Sequence, residues 1–454
     1  MSVQFARIWG GKALGGSVGI SGSKNTCLPI IAATLLTEET CILRNVPQLT
    51  DIFCMIEVVR RLGVTVQRLD AHTWSFRAEA VSDCADRVFV ERFRASVCLL
   101  GALLGRNRRA SVPVPGGCKL GSRPIDIHLR AFRALGAAAT QTSGGIDLHA
   151  ERLRGATFSV AGPRGSTVTG TLNAILAAVL AEGRSVLIGA AREPEVVSFC
   201  TFLQKMGAKI EGAGTDRVAI GGVSALGGAD FTIPSDRMEA GTFLILGLLC
   251  CDALRIANAP REVLCGIPEI LPQIADYCRW EGDDLVVRRG EFLPIKVTAK
   301  PYPHFPTDLQ PQMTVLASQI EGTSHICDTI FPDRFTHIDA FRKLGMDIKK
   351  AAEGTISVAG KAGLNGAEIA ATDLRAGAAM YLAGLIAKGE TTIFQKDYVD
   401  RGYENFEEKL SALGATIEYT SPQPQREESN SGDTPIIFRT DSTHNIFQKT
   451  SELA

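Results

Sequence analysis

A six-fold internal repeat constrains this chain more than any other feature. A short phrase recurs: a helical stretch, a large apolar residue, Gly, a small residue and then a strand. It ends at Val66 (RRLGVTV), Ala138 (FRALGAA), Ile210 (LQKMGAKI), Ile348 (FRKLGMDI) and Ile417 (LSALGATI), with a degenerate copy, CRWEGDDLVV, ending at Val287. The glycines Gly63, Gly136, Gly207, Gly282, Gly345 and Gly414 stand about 70 residues apart. Each suits the left-handed terminator that ends a helix and turns the chain into a strand.

Between these phrases lies a second, more apolar helix: LPIIAATLL after Lys24, SVCLLGALL after Arg94, TLNAILAAVLAEG after Thr169, FLILGLLCC after Thr242, MTVLASQIEG after Gln312 and MYLAGLIAKG after Ala379. These segments are apolar nearly all round and are expected inside, with the amphipathic helices before each glycine outside them. One repeat cannot bury its own apolar helix, so several must pack around a shared centre. The expectation is an α/β protein of two similar lobes, three repeats each, facing one another. An ordinary doubly wound sheet predicts no such equal spacing.

At 454 residues the chain is long enough for two or three domains. Hydrophobic residues at 45% and charged residues at 21% are ordinary for a globular protein. A formal net charge of -1 gives no global attraction to nucleic acid or an acidic membrane, so anion binding must come from local clusters. The start, MSVQFARIWGG, lacks the pattern of a signal peptide. The longest apolar stretch, Ala240 to Leu254, is interrupted by Asp252, falls short of a membrane span and reads as a buried helix. The 12 cysteines are scattered, with no CxxC pair and no His/Cys cluster at zinc spacing, so no metal and no cofactor are expected and the thiols read as reduced and cytoplasmic. From about Thr420 the composition turns polar (SPQPQREESNSGDTP) and reads as a flexible tail over 421–454.

Cations gather where helices start. Lys24, Arg94 and Arg375 precede or open apolar helices, and Arg123, Arg334 and Arg401 stand just before outer ones. A cation there opposes the helix macrodipole at a cost of about 0.3–1 kcal/mol. Six at equivalent places point to a bound anion, because helix N-termini and Arg forks both suit phosphate and carboxylate. The alternative is local pairing, as Asp333–Arg334, Asp373–Arg375 and Asp400–Arg401 permit.

PGGCKLGSRP, Pro115 to Pro124, is a glycine-rich loop made electropositive by Lys119 and Arg123. Its thiol, Cys118, is a candidate acid or nucleophile on a closing lid. The adjacent cations favour thiolate, whereas a general acid needs the thiol. Cys27, Cys98, Cys250 and Cys251 are expected in apolar helices and read as inert.

SGSKN at Ser21–Asn25, PGGCKLGSRPIDIH at Pro115–His128, AREPEVV at Ala191–Val197, GTDR at Gly214–Arg217, FPTDLQ at Phe305–Gln310, TDLRA at Thr372–Ala376 and DRGYE at Asp400–Glu404 follow one another in order. With them the chain, over roughly residues 3 to 420, resembles the UDP-N-acetylglucosamine 1-carboxyvinyltransferase family of enolpyruvyl transferases. The resemblance implies a two-lobed inverted α/β barrel, with one lobe over 22–232, the other combining 1–21 with 233–420, and the active site between them. It implies transfer of the enolpyruvyl group of phosphoenolpyruvate to the 3'-hydroxyl of UDP-N-acetylglucosamine, with release of phosphate, as the first committed step of peptidoglycan synthesis.

By the same resemblance Lys24, Arg94, Arg123 and Arg401 form the phosphoenolpyruvate cradle, and Arg375, beside Asp373, is a supporting cation. Cys118 is the lid thiol and the target of fosfomycin. Asp308 is the base and, with Asn25 and Ile330, holds the amino sugar; TDLQ before an apolar helix equally suits an N-cap. Pro124, Asp126 and His128 match the uridine side, His128 alone being equally a structural histidine. Where the family has a Lys followed by Ser-Val-Gly against the diphosphate, this chain reads Ala161 and then Pro163-Arg164-Gly165. Pro163 has no N–H to donate, and Arg164 is the replacement charge. That departure keeps open a transferase acting on another uridine nucleotide. A catalytically dead nucleotide-sugar binder is the third possibility.

Overall fold

The computed structural model describes residues 4–116, 124–361 and 363–420. Cys118, Arg123 and the tail 421–454 lie outside the described residues. Six small sheets of three or four strands, together with the hairpin Ala161–Gly162/Gly165–Ser166, make up the described β-structure. The sheets share one plan. Thr157–Ser159 pairs parallel with Arg184–Ile188, which pairs antiparallel with Arg217–Gly221, which pairs antiparallel with Lys209–Glu211. The unit Arg109–Pro113, Gly145–His149, Ala138–Gln141 is one strand short, and a single parallel bridge, Cys84 to Ser111, stands in the missing place.

Three such units close on themselves in each half. Asp230–Thr232 returns to pair parallel with Cys41–Arg44, joining the end of the first half to its start. The N-terminal segment builds the other half: Phe5–Trp9 lies between Glu390–Phe394 and Thr416–Tyr419, and Leu14–Gly19 pairs with Cys251–Ala257. Two separate hydrophobic cores result. One runs from Cys27 to Ile233, and the other joins Ala6–Ile20 to Met238–Leu413.

The apolar helices are inside. Lys24–Ala33, Cys98–Asn107 and Val168–Ala178 fill the first half, and Arg237–Cys250, Gln310–Ala317 and Leu374–Ile386 the second, almost every residue buried. Helices buried all round need apolar side chains on every face, as these segments have. Amphipathic helices such as Thr50–Arg61 and Asp126–Ala134 lie outside them. Gly63, Gly136, Gly207, Gly345 and Gly414 have φ between 98° and 103°, in the left-handed half of the map that favours glycine.

Two expectations fail. Gly282 ends no helix: it turns the hairpin Cys278–Glu281/Asp284–Val287, and short 3-10 turns at Arg261–Leu264 and Pro272–Asp276 replace the outer helix. Pro268 and Pro272 explain this, since each removes an N–H and clashes with the preceding turn. The apolar run Ala240 to Leu254 is not one helix either. The helix stops at Cys250, and Cys251–Ala257 is a strand.

The chain crosses between halves twice, and the crossings are pinned together. Gly22 bridges Ser235, and the Ser23 N–H donates to the Pro234 carbonyl at 2.7 Å. A Cβ at Gly22 would lie 1.9 Å from the Asn45 carbonyl oxygen, so only glycine fits. Asp236 then caps two helices at once. Its carboxylate accepts from Met238 N–H (2.7 Å) and Glu239 N–H (3.2 Å), and also from Lys24 N–H (3.2 Å) at the start of the first half's inner helix. A second tie is the buried Arg237–Glu195 fork, with N–O distances of 2.8 and 3.2 Å, which joins residues of the two cores.

Candidate active site

Four of the cations, Lys24, Arg334, Arg375 and Arg401, are bridged by carboxylates in two knots. In the first, Asp51 joins Lys24 and Arg401. Lys24 Nζ lies 3.2 Å from Asp51 Oδ2, and Arg401 Nε donates to Asp51 Oδ1 at 2.9 Å. Lys24 and Asp51 belong to the first half and Arg401 to the second, so this knot spans the halves. Ser23 caps the helix that Lys24 opens, accepting from Thr26 N–H. Asn25 stands partly exposed on the next position.

In the second knot Asp308 joins Arg334 and Arg375, all from the second half. Arg334 Nη1 is 2.6 Å from Asp308 Oδ1, and Arg375 Nε is 3.2 Å from Oδ2. Both guanidiniums are 1% exposed, while the Asp308 side chain remains 27% exposed. Burial pushes the Asp308 pKa up, but the charges of Arg334 and Arg375, with a further contribution from Lys24, hold it well below the usual carboxylate range. It is therefore ionised at neutral pH, and Lys24 in the first knot stands close enough to act on the second.

Asp308 is no N-cap: the helix it precedes has no side-chain cap. Its loop is held by Asp328, which accepts from the Thr307 hydroxyl and from the N–H groups of Ile330 (2.9 Å) and Phe331 (2.8 Å). Asp373 caps the helix Leu374–Ile386, accepting from Arg375 N–H at 2.8 Å and Ala376 N–H at 3.2 Å. Arg375 also lies over the Tyr403 ring at 5.3 Å. Neighbour pairing fails as an account of the arginines. Arg334 and Arg375 turn to Asp308, Arg401 turns to Asp51, and Asp400 binds Lys396 instead.

Arg94 opens a short 3-10 turn and donates to the Pro115 carbonyl at 3.5 Å, at the edge of the Cys118 loop. Pro124 and Asp126 are exposed beyond that loop. His128 is buried and turned inward. Asn173 Nδ2 donates to its Nδ1 at 2.8 Å, and Thr169 lies 3.5 Å from Nε2. Burial, then the Arg94 charge, push its pKa down to about 3. In this arrangement it supports the inner helix Val168–Ala178 and does not face the cleft.

The departure at 161–165 forms a hairpin that reaches the other half. Arg164 Nη1 donates to the Ile330 carbonyl at 3.2 Å, and Gly165, with φ of 97°, packs against Pro301. The Arg164 side chain thus projects toward the loop that also carries Arg334, one of the two Asp308 partners. Sequence reasoning missed Asp51. Its acidic position in the first turn of Thr50–Arg61 looks like ordinary macrodipole compensation, and only the fold brings Arg401 to it.

Two three-unit α/β halves, with one carboxylate-bridged pair of cations spanning them and another within the second half, are the frame of an enolpyruvyl transferase. The chain belongs to the enolpyruvyl transferase family, described as EPSP synthase (3-phosphoshikimate 1-carboxyvinyltransferase), which matches residues 8–410. It is 42% identical over 417 residues to the UDP-N-acetylglucosamine 1-carboxyvinyltransferase of Akkermansia muciniphila, covering 90% of this chain and 97% of that protein. The protein of the same name from Methylacidiphilum infernorum is 42% identical over 411 residues, covering 90% and 97%. Among solved structures, the enolpyruvyl transferase NikO from Streptomyces tendae superposes with a TM-score of 0.83 at 26% identity, covering 92% of this chain and 100% of that one.

Proposed function

We propose that this chain transfers the enolpyruvyl group of phosphoenolpyruvate to the 3'-hydroxyl of UDP-N-acetylglucosamine, releasing phosphate, as a cytoplasmic step of peptidoglycan synthesis. The observation that carries the reading is the pair of facing knots, in a chain 42% identical to proteins of that name.

The sugar oxygen adds to C2 of phosphoenolpyruvate while its proton leaves to a base and C3 gains a proton. The tetrahedral adduct then loses a C3 proton and breaks the C2–O bond to phosphate, restoring the double bond. Lys24, Arg94, Arg123 and Arg401 supply cations for the phosphate and carboxylate, where fixed charges lower the barrier most. Cys118 is the proton donor, or the thiol that phosphoenolpyruvate captures. Asp308 takes the hydroxyl proton, and Asn25 and Ile330 flank the amino sugar.

Two guanidiniums make Asp308 a weak base as it stands. Pro124 and Asp126 are assigned to the uridine side and Arg164 with Gly165 to the diphosphate, while His128, buried against Asn173, supports the uridine side from behind.

The test is phosphate release measured with each substrate alone and with both. Release only with both supports the assignment; none from folded protein contradicts it. Pro163 and Arg164 motivate a second reading, a transferase for another uridine nucleotide, which 42% identity to UDP-N-acetylglucosamine 1-carboxyvinyltransferases does not favour. Equal turnover of uridine nucleotides lacking the amino sugar decides for it.

A further inference from the structure

Behind Arg401 lies a buried charge cluster with no place in the reaction above. The turn Lys396–Arg401 follows the strand Glu390–Phe394 and is entered through Gln395 at φ of 58°, an unusual conformation for a residue of its size. Lys396 is 1% exposed. Its Nζ lies 2.9 Å from both oxygens of Asp400 and 3.3 Å from Glu407 Oε1. Glu407, on the helix Phe406–Ala412, accepts in turn from the Tyr381 hydroxyl on the inner helix Leu374–Ile386. One ammonium thus ties the two ends of the turn together and fixes the turn to two helices.

Asp400 is the residue before Arg401, so its orientation sets the backbone from which Arg401 crosses to Asp51. An Arg that must meet a partner from the other half loses that geometry if its turn relaxes. Displacements of about 1 Å far from the chemistry can cost about 10²-fold in rate. A buried lysine between two carboxylates is also a costly arrangement, tolerated only when its geometry is complete.

We propose that Lys396 is a positioning residue for Arg401, holding the 3-10 turn so that the guanidinium meets phosphoenolpyruvate beside Lys24. This rests on the phosphoenolpyruvate reading of the cradle.

The experiment compares Lys396→Met and Lys396→Arg with the unaltered chain, varying each substrate while the other saturates. Lys396→Met is expected to raise KM for phosphoenolpyruvate about tenfold and to leave KM for UDP-N-acetylglucosamine within about twofold, with Lys396→Arg restoring most of the loss. A folded variant in which both KM values move together, or neither moves, overturns the proposal. Lys396→Met leaves Asp400 and Glu407 facing each other, so the double variant Lys396→Met/Glu407→Gln removes one negative charge with the cation. It is expected to show the same split. If the unaltered chain releases no phosphate, the assigned reaction fails instead. Calorimetric Kd for phosphoenolpyruvate then reads the turn directly: about tenfold weakening in Lys396→Met supports positioning, and equal affinity overturns it.

Discussion

The two knots look alike on paper and differ in where their members come from. Asp308, Arg334 and Arg375 all belong to the second half, whereas Asp51 and Lys24 meet Arg401 from across the cleft. The Asp308 knot is therefore built when its own half folds. The Asp51 knot exists only while the halves are together. The first is held within one half, the second between the two.

The largest expected effect separates them by stability. Asp308→Ala strands two guanidiniums that are each 1% exposed, a change that costs about 3–5 kcal/mol and removes a proton acceptor worth about 10²–10⁴ in kcat. Asp51→Ala takes the carboxylate partner from Lys24, itself 6% exposed, while Arg401 keeps its bond to the Arg92 carbonyl; the cost is about 1.5–3 kcal/mol, the range of a charge-assisted hydrogen bond. Its main loss falls on kcat/KM for phosphoenolpyruvate. Chemical denaturation and steady-state kinetics on both variants check this. Equal destabilisation would erase the distinction between the knots.

How much of this was readable beforehand varied with the type of contact. Repeat spacing placed the inner helices and the terminating glycines because both obey local rules. Lys24, Arg375 and Arg401 were visible as cations at helix starts. Asp51 was not, because its partners lie 27 and 350 residues away and its helix position already had a sufficient local explanation. Likewise, adjacency suggested Asp333, Asp373 and Asp400 as partners, while the guanidiniums found more distant carboxylates. The run ending at Leu254 hid a helix-to-strand change, since uniform apolarity carries no period to mark it.

A smaller effect sharpens the comparison through pH. His128 stays neutral in the folded chain with a pKa of about 3, and His337, packed near Asp373 and Arg334, has one pushed down by burial to about 4. Below the ordinary value of 6.5 the unfolded chain gains protons that the folded chain refuses. Stability should therefore fall as pH drops through this window, by at most about 1.4 kcal/mol per pH unit for each histidine. His128→Gln should flatten the slope by about one proton, read from denaturation curves at several pH values; an unchanged slope contradicts a neutral buried ring.

The smallest effect is expected at the exposed cross-cleft contact. Arg164→Ala removes one hydrogen bond to Ile330, worth about 0.5–1.5 kcal/mol, and should raise KM for the sugar nucleotide by less than about tenfold with kcat nearly unchanged. A larger loss would make Arg164 the principal grip on the diphosphate.

The central claim is that facing knots bring phosphoenolpyruvate to a sugar hydroxyl, and one labelling measurement tests it most directly. Phosphoenolpyruvate carrying 13C at C2 is incubated with UDP-N-acetylglucosamine and the chain, and products are followed by NMR. The account predicts that the label moves into an enol ether on the sugar 3'-oxygen, with one phosphate released for each ether formed. Label that stays in phosphoenolpyruvate, or appears only in pyruvate, would contradict it.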